Sequence, residues 1–426
     1  MKTAELKQAL AGTTLDSRFC EIYGSAALET QKARYLHAVE EFEKLYGAGR
    51  EAALYSVAGR SELSGNHTDH NHGCVIAASI DLDIIAVASP SAGSVIRVKS
   101  EGFPEDVVDF GVYNAPNPAR YEKSDSLIAG MVAGFRKEGL AVGGFDAYTT
   151  SNVLKGSGIS SSAAFEDMIG NILNYVYNDG KVSNVEIAKL AQYAENRFFG
   201  KPCGLMDQMA CAVGGIIAID FRDPSAPVIE QTDFDLSAAG YNLCIVNTGG
   251  NHADLTGDYA SVPAEMKSVA AYFGKEVLRD TDENAVLAAI PALREKVGDR
   301  AILRALHFFA ENRRVAAQKA ALKAGDLDTF LANVIASGRS SFCYLQNVYT
   351  TKNVSEQGLS LALCLAERVL SGKRAAWRVH GGGFAGTIQA FVPTEDVAEF
   401  RAVMDAAFGE GRCMVLRVRP EGALRV

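Results

Sequence analysis

A glycine–serine stretch at residues 155–163 has the composition of a phosphate-holding loop. It reads K-G-S-G-I-S-S-S-A and lies between a predicted strand and a strongly amphipathic predicted helix. Glycines let the backbone approach a ligand and turn its N–H groups toward it, and a helix N-terminus favours negative charge. The hydroxyls of Ser160, Ser161 and Ser162 can donate to phosphate oxygens or bind Mg²⁺. From composition alone, a serine N-cap beside a flexible turn stays an alternative.

Two better-known phosphate-transfer motifs are absent from the sequence. A Walker A loop needs Gly-Lys followed by Ser or Thr, and none of the Gly-Lys pairs that begin at 180, 200, 274 and 372 meets that condition. Residues 109–111 spell D-F-G, but the chain has no H-R-D catalytic loop before them and no V-A-I-K strand. The sequence therefore excludes P-loop and protein-kinase chemistry.

A second segment, residues 58–73, is dense in short hydrogen-bonding side chains. It reads A-G-R-S-E-L-S-G-N-H-T-D-H-N-H-G and holds three of the chain's seven histidines. Carboxylates accept from adjacent hydroxyls, while amides and imidazoles donate or accept, so the segment suits a polyhydroxyl ligand. Two alternatives stay open, which are a solvated polar turn and a metal site formed by His67, Asp69, His70 and His72.

Two further segments contain residues that can do chemistry. Residues 194–208 read A-E-N-R-F-F-G-K-P-C-G-L-M-D-Q, in which Asp207 is a lone acid in an apolar frame. Such surroundings can tune the pKa of a carboxylate for work as a general base, although the pattern fits equally an aspartate that caps a helix.

Residues 379–387 read V-H-G-G-G-F-A-G-T. H-G-G-G forms an oxyanion hole in lipases, but the chain has no G-x-S-x-G, so the pattern favours a glycine turn in a hairpin.

The elements that must position these residues mix helices and strands in both halves of the chain. Residues 1–50 and 260–372 are predicted to be mainly helical, and an apolar stripe from Phe165 to Val176 predicts an amphipathic helix directly after the glycine–serine stretch. Another helix is predicted at 183–199. Strands are predicted at 54–58, 74–88, 145–153, 214–221, 241–247 and in the runs W-R-V and T-I-Q-A-F-V. This pattern predicts an α+β fold, with a domain boundary in the weakly patterned stretch 221–236.

Length and composition predict a two-domain protein without a nucleic-acid or membrane partner. The chain has 426 residues, 48% of them apolar, which is too long for one core. Its 42 basic and 51 acidic residues give a net charge of −9, and no basic block is present to contact nucleic-acid phosphates or an anionic membrane. No apolar run approaches the roughly 18 residues that span a bilayer, and the first residues lack the apolar region of a signal peptide. We therefore expect a cytoplasmic protein.

The eight cysteines point to the same kind of compartment. None of them has C-x-x-C spacing, so neither a zinc ribbon nor a thioredoxin-type motif is supported. Most lie in apolar stretches of the sequence. We expect buried thiols in a reducing cytosol.

In their order along the chain, the four segments resemble the sequence motifs of the GHMP small-molecule kinases, and specifically those of the galactokinase family. The family signature is close to G-R-V-N-L-I-G-E-H-T-D-Y-N-x-G, and residues 59–73 read G-R-S-E-L-S-G-N-H-T-D-H-N-H-G. The family's P-x-G-x-G-L-S-S-S-A resembles L-K-G-S-G-I-S-S-S-A at 154–163. Its A-E-x-x-F-x-G-x-x-C-G-I-M-D-Q resembles residues 194–208, and its G-G-G-F-G-G resembles residues 381–386.

The resemblance implies ATP-dependent phosphorylation of the anomeric C1 hydroxyl of galactose, in a cleft between two α+β domains at residues 1–222 and 223–426. Asp207 matches the family's base, and Arg60 matches the arginine that keeps this base ionised. Glu195 and Ser162 match the residues that hold Mg²⁺. The positions that match sugar-contacting residues are Asn66, His67, Asp69, Gly204 and Tyr259. The positions that match ATP-contacting residues are Gly156, Ser157, Gly158, Ser160, Ser161, Ser162, Gly382 and Gly383.

Several positions depart from the family pattern, mainly on the sugar side. Asn66 stands where the family has a Glu assigned to the sugar's 6-hydroxyl, and Glu62 stands where it has Asn. His70 replaces a Tyr, Ser64 replaces an apolar residue, and the proline before the phosphate loop is missing. Since Asn removes a negative charge that would repel a carboxylate at C6, a galactose relative such as galacturonate stays open as substrate. A non-catalytic sugar sensor also stays open, as does the choice between a monomer and a weak dimer.

Overall fold

The computed structural model of the chain describes residues 1–153, 159–201, 203–250 and 255–426. Its α-helices are α1 (Thr3–Ala11), α2 (Asp16–Tyr23), α3 (Leu28–Tyr46), α4 (Ser124–Lys137), α5 (Ser161–Tyr177), α6 (Asn184–Ala194), α7 (Met206–Val213), α8 (Thr256–Tyr272), α9 (Glu283–Ala288), α10 (Ile290–Lys296), α11 (Asp299–Ala324), α12 (Leu327–Ser340), α13 (Gly358–Leu370) and α14 (Val397–Phe408). Its strands are β1 (Ala53–Ser64), β2 (Cys74–Ser91), β3 (Val95–Ser100), β4 (Glu105–Asp109), β5 (Gly144–Ser151), β6 (Ile216–Asp220), β7 (Val228–Thr232), β8 (Tyr241–Asn247), β9 (Ala376–His380), β10 (Thr387–Pro393), β11 (Cys413–Leu416) and β12 (Leu424–Arg425).

The larger sheet contains eight strands in the order β12-β1-β2-β5-β3-β4, and β6 pairs with both β2 and β7. All of these pairs are antiparallel except β3–β5, which is parallel. Helices cover both faces, because α4–α7 pack on one side and α1–α3 on the other. For this reason β1 is buried along nearly its whole length, including the polar residues of its second half.

The smaller sheet has four antiparallel strands in the order β11-β8-β10-β9. One face packs on α13 and α14 around Phe400 and Met404. The other face joins the core of the larger sheet through α12, whose Phe330 packs edge-on against Phe391 of β10. A separate helical cluster forms where α8 meets α11. Each sheet is thus layered with helices, and the predicted α+β class is confirmed.

The largest error of the sequence prediction concerns β1. The predicted strand stops at residue 58, whereas β1 continues to Ser64 and includes half of the polar segment. The strand continues because its polar side chains find buried partners: Gln389 donates to Ser61 (2.8 Å), and Arg378 donates to Glu62 (2.6 Å). The sequence analysis also missed α4, α14, the inner strand β3 and the edge strands β4, β7, β11 and β12.

The division of the chain at residues 222 and 223 stays a prediction. Two strands beyond that point hydrogen-bond into the larger sheet, since β7 pairs with β6 and β12 pairs with β1. The segment before β12 is held by Arg419, which is fully buried and donates to Asp83 (3.1 Å) and Ser56 (2.7 Å). The last residues of the chain therefore pack against its first two strands.

The eight cysteines are all free thiols. Cys211, Cys244 and Cys413 are buried, but Cys343 and Cys364 are exposed, so the expectation of buried thiols is wrong for these two. Both exposed cysteines lie in helical segments. The apolar residues around them in the sequence do not show which positions of a helix face outward. Within the described ranges, we find no helix that combines the length and the apolar character needed to cross a membrane.

Candidate active site

Asp207 and Arg60 lie together in the wall of a cavity of about 340 Å³. Arg60 lies on β1 and donates from Nε to Asp207 Oδ1 (2.8 Å) and from Nη2 to Asp207 Oδ2 (2.9 Å). The arginine side chain is 8% exposed, whereas 35% of the aspartate side chain is exposed and faces the cavity. Burial alone would raise the pKa of Asp207, but the charge and hydrogen bonds of Arg60 outweigh it and hold this pKa below its ordinary value. Asp207 is therefore ionised at neutral pH.

The alternative interpretation of Asp207 as a helix cap is wrong. Asp207 is the second residue of α7, whose N-cap position is occupied by Leu205. A cap side chain must precede the helix and accept from its first N–H groups. Asp207 instead points its two carboxylate oxygens at Arg60, so its side chain is available for chemistry in the cavity.

The start of α5 meets the same carboxylate. Gly59 lets β1 pass close to Ile159, since an added Cβ would lie 3.2 Å from the Ile159 carbonyl oxygen, and the Arg60 N–H donates to that oxygen (3.3 Å). Ser160 follows in a left-handed conformation (φ 60°) and donates from Oγ to Asp207 Oδ2 (2.5 Å). The structure thus places Ser160 on the catalytic candidate, while Ser161 occupies the first turn of α5.

A buried acidic pair is held by Gln208, the residue that follows Asp207 in α7. Glu195, in the π-helical turn Glu195–Phe199, accepts from Gln208 (2.7 Å) and forms an ion pair with Lys201 (3.1 Å). The same Gln208 amide donates to Glu166 (3.1 Å), whose Oε1 is buried without a hydrogen-bond partner among the described residues. Because Ser162 and Glu166 are four residues apart on α5, they share a helix face, and Glu166 shares the Gln208 amide with Glu195.

The hard oxygen ligands of this group fit Mg²⁺. One or two carboxylates and a hydroxyl, completed by nucleotide phosphates and water, are the coordination that Mg²⁺ prefers. A protein cage is not present, since the described part of the chain contains no cluster of three or more His, Cys, Asp or Glu side chains able to hold a metal ion. That finding also contradicts the alternative of a metal site at His67, Asp69, His70 and His72.

The opposite wall of the cavity is formed by His67, Asp69, Gly204, Tyr259 and the glycine loop after β9. His67 Nε2 lies 2.9 Å from the Gly382 carbonyl oxygen, and burial lowers the pKa of His67 to about 4, so the neutral ring donates from Nε2. Tyr259 Oη donates to the Gly383 carbonyl oxygen (2.7 Å), and a side chain at Gly382 would collide with the Tyr259 ring (2.4 Å). These contacts fix the glycine loop against the wall.

Asn66 also borders the cavity, although it is fully buried. Its amide donates to the Gly381 carbonyl oxygen (2.7 Å) and to Glu62 Oε1 (3.2 Å), and it accepts from Asn347 (2.8 Å) and Ser341 (3.2 Å). All polar atoms of the amide therefore have protein partners. The sequence predicts a direct contact between Asn66 and the sugar. To make that contact, the Asn66 amide would have to give up one of these protein partners.

We expect Asn66→Glu to destabilise the protein by about 3 kcal/mol or more, because it places a second buried carboxylate beside Glu62. The double variant Glu62→Asn/Asn66→Glu should recover at least half of that loss, since Arg378 then pairs with the carboxylate at 66. The measurement is the free energy of unfolding in urea. Asn114→Glu, at an exposed position, is the control. A single variant as stable as the unaltered protein would show that the two positions are not coupled.

Eight of the sixteen predicted site residues line one cavity. Arg60, Asn66, His67, Asp69, Gly204, Asp207, Tyr259 and Gly382 line it. Gly156, Ser157 and Gly158 lie outside the described residues.

Three residues that sequence reasoning missed are Lys201, Arg378 and Asn347. Lys201 stands within the third motif at a position that the family pattern leaves open, whereas Arg378 and Asn347 had no local signal, because their partners are about 300 residues away in the chain.

The chain is similar to known proteins over most of its length. The model of the galactokinase galactose-binding signature matches residues 40–90, and that of the GHMP kinases N-terminal domain matches residues 126–215. A galactokinase from Streptomyces coelicolor is 32% identical over 378 residues, which cover 87% of this chain and 92% of the relative. A galactokinase from Actinobacillus pleuropneumoniae is 31% identical, with 86% and 92% covered. The chain belongs to the galactokinase family.

Solved structures agree with the fold of a galactokinase. The crystal structure of Lactococcus lactis galactokinase complexed with galactose has a TM-score of 0.77 at 23% identity and covers 92% of this chain and 100% of that one. Methanococcus jannaschii mevalonate kinase has a TM-score of 0.62 at 15% identity, with 86% and 98% covered. The two-domain GHMP-kinase fold is thereby confirmed. As a member of the galactokinase family, the protein is a sugar kinase, and ATP is the phosphate donor that the family implies.

Proposed function

We propose that the protein transfers the γ-phosphoryl group of ATP to the anomeric C1 hydroxyl of galactose. The observation that carries the proposal is the geometry of Asp207. Two hydrogen bonds from the buried Arg60 fix the carboxylate in place, and its exposed side faces the cavity. The curated relatives are named galactokinases, and they suggest the sugar. An ionised carboxylate in this position can take the proton of a sugar hydroxyl as the hydroxyl oxygen attacks phosphorus.

Arg60 and Ser160 prepare Asp207 for this step. Both donate hydrogen bonds to the carboxylate, which lowers its pKa and keeps it ionised until the sugar binds. A carboxylate is a weak base, so the proton moves as the bond from the sugar oxygen to phosphorus forms. The half-buried Ser161 at the start of α5, with the glycine–serine stretch before it, would bind the nucleotide phosphates, and Gly382 and Gly383 would face them from the opposite side.

Glu195 and Ser162 would hold Mg²⁺ in this proposal. The unpartnered oxygen of Glu166, one helical turn beyond Ser162, supports an additional positive charge in the same place. Burial and the neighbouring Glu195 raise the pKa of Glu166 well above its ordinary value, and a bound cation would reverse that effect. The metal supplies neutralisation of the charge on the transferring phosphoryl group.

The sugar would lie against His67, Asp69, Gly204 and Tyr259. Asp69 Oδ2 would lie only 2.6 Å from a Cβ added at Gly204, so the absence of a side chain at 204 lets the carboxylate stand in the cavity wall. A carboxylate there can accept from two adjacent hydroxyls, which is the arrangement that a hexose presents. The neutral ring of His67 has Nδ1 left to accept, since Nε2 donates to Gly382.

A panel of hexoses with ATP and Mg²⁺ tests the proposal. We expect ADP release with galactose, and a higher kcat/KM for galactose than for galacturonate. The reverse order would assign the site to a sugar altered at C6. Folded protein that binds galactose but releases no ADP with any sugar would support the sensor interpretation. The variant Glu62→Asn/Asn66→Glu, assayed with the same two sugars, tests whether residue 66 reads C6, because an unchanged ratio of the two kcat/KM values would show that it does not.

We expect Gly204→Ala to lower kcat/KM for galactose by about 10- to 100-fold, because the new methyl group displaces the Asp69 carboxylate from its position. The loss should appear mainly as a higher KM for galactose, with KM for ATP nearly unchanged. Steady-state kinetics with each substrate varied in turn measure this difference. An equal rise of both KM values, or a large fall in the melting temperature, would contradict a local effect on the sugar.

A further inference from the structure

Lys201 lies in the candidate active site and has no part in the chemistry described so far. It follows the π-helical turn Glu195–Phe199 by two residues, and its Nζ lies 3.1 Å from Glu195 Oε1. Its backbone N–H donates to the Glu195 carbonyl oxygen (3.2 Å). The side chain lines the cavity together with Arg60 and Asp207. Lys201 is thus anchored through its backbone while its ammonium group pairs with Glu195.

The ion pair between Lys201 and Glu195 joins an exposed group to a buried one. The lysine side chain is 60% exposed and the glutamate side chain is 3% exposed, so the pair compensates a buried carboxylate while the lysine itself stays accessible. A lysine ammonium is charged at neutral pH, and this one lies 3.1 Å from Glu195 Oε1. It also lies close enough to Asp207 for their charges to interact. The cavity therefore contains a permanent cation on a side chain with room to move.

Lys201 and a metal ion would compete for the same carboxylate. Glu195 Oε2 accepts from Gln208, and Glu195 Oε1 is covered by the lysine ammonium. A divalent cation placed at Oε1 would lie within a few ångströms of the ammonium, where like charges repel strongly. Metal binding at Glu195 should therefore displace Lys201. The displaced ammonium would stay tethered in the cavity that Asp207 also lines, within reach of a phosphoryl group bound there.

We propose that Lys201 is a second cation of phosphoryl transfer, which neutralises Glu195 before the nucleotide binds and contacts the transferring phosphoryl oxygens once the metal takes its place. This inference rests on the proposed kinase function. No bond forms to Lys201. The sugar oxygen forms its bond to phosphorus as the bond to ADP breaks, the sugar proton passes to Asp207, and the ammonium offsets charge on the phosphoryl oxygens.

The test compares Lys201→Met, which keeps the length of the side chain without its charge, with Lys201→Arg. Lys181→Met is the matched control, because Lys181 is an exposed lysine paired with Asp179 (3.0 Å) away from the cavity. We measure kcat and both KM values with galactose and ATP. Independently of turnover, we measure binding of a non-hydrolysable ATP analogue as a function of Mg²⁺ concentration.

For Lys201→Met we expect kcat to fall by about 10- to 100-fold, with KM for galactose unchanged within about threefold, since the contact forms only with the transferring group. The Mg²⁺ concentration at half-maximal analogue binding should fall at least about fivefold, because no ammonium competes for Glu195. Lys201→Arg should recover part of kcat, and Lys181→Met should change neither value. A kcat within twofold of the unaltered protein, or an unchanged Mg²⁺ midpoint, overturns the proposal. If the unaltered protein turned over no sugar, the proposed function would fail, while the binding measurement would still test the competition at Glu195.

Discussion

Asp207→Asn is expected to reduce turnover by at least about 100-fold, since positioned general bases typically contribute between about 10²- and 10⁴-fold. Asparagine keeps the shape of the side chain and one acceptor for Arg60, but it cannot take a proton. We therefore expect the dissociation constant for galactose to stay within about tenfold of that of the unaltered protein, as the change removes an interaction made during reaction. ADP release measures turnover, and calorimetric titration measures galactose binding.

Asp179→Asn serves as the control for this substitution, because Asp179 is an exposed aspartate paired with Lys181 outside the cavity. It should leave turnover unchanged. An Asp207→Asn protein that kept more than about a tenth of normal turnover would show that Asp207 is not the base. A loss of galactose binding as large as the loss of turnover would point instead to a structural role.

Arg60→Met should reduce kcat/KM by about 10²- to 10³-fold, which is the usual cost of removing one preorganised charge-stabilising donor. It should also change the pH dependence. Burial raises the pKa of Asp207 and Arg60 lowers it, with the arginine prevailing in the intact site. Without the arginine the effect of burial dominates, the pKa rises, and a base that must be ionised works only at higher pH. The acidic limb of the pH profile of kcat/KM should therefore move to higher pH.

Arg60→Lys separates charge from geometry in the same experiment. A lysine keeps a positive charge near Asp207 but cannot donate two parallel hydrogen bonds as Arg60 Nε and Nη2 do. We expect its acidic limb to lie between those of the unaltered protein and Arg60→Met. Coincident acidic limbs in all three proteins would mean that Arg60 does not set the protonation of Asp207.

The sequence predicted well the features that local patterns determine. The apolar stripe of α5 was visible because a helix buries one face at a fixed period, and the glycine–serine stretch before it was visible because few other loops combine these residues. The order of the four motifs then predicted that Arg60 and Asp207 lie side by side, although 147 residues separate them. The structure places these two residues within hydrogen-bond distance, as the family resemblance implied.

Features that depend on distant partners could not be predicted in this way. Glu62 looked like part of a polar turn, because its partner Arg378 lies 316 positions further along the chain. The direction of the Asn66 side chain depends on Ser341, Asn347 and Gly381, none of which is near it in sequence. Lys201 lay inside a recognised motif, but only the structure shows that its ammonium covers Glu195.

The pairing of β12 with β1 has a consequence for how the protein is made. Residues 424 and 425 form the outer neighbour of the strand that carries Arg60, and the Val426 N–H donates to Leu54 (2.9 Å). A ribosome releases the chain from its first residues onward, so the edge of β1 at Tyr55 and Ser56 stays unpaired until residues 424 and 425 have emerged. An open strand edge invites pairing with other chains. The nascent protein is therefore most prone to aggregate before residues 424–426 leave the exit tunnel, and a chaperone that shields β1 would be needed most in that interval.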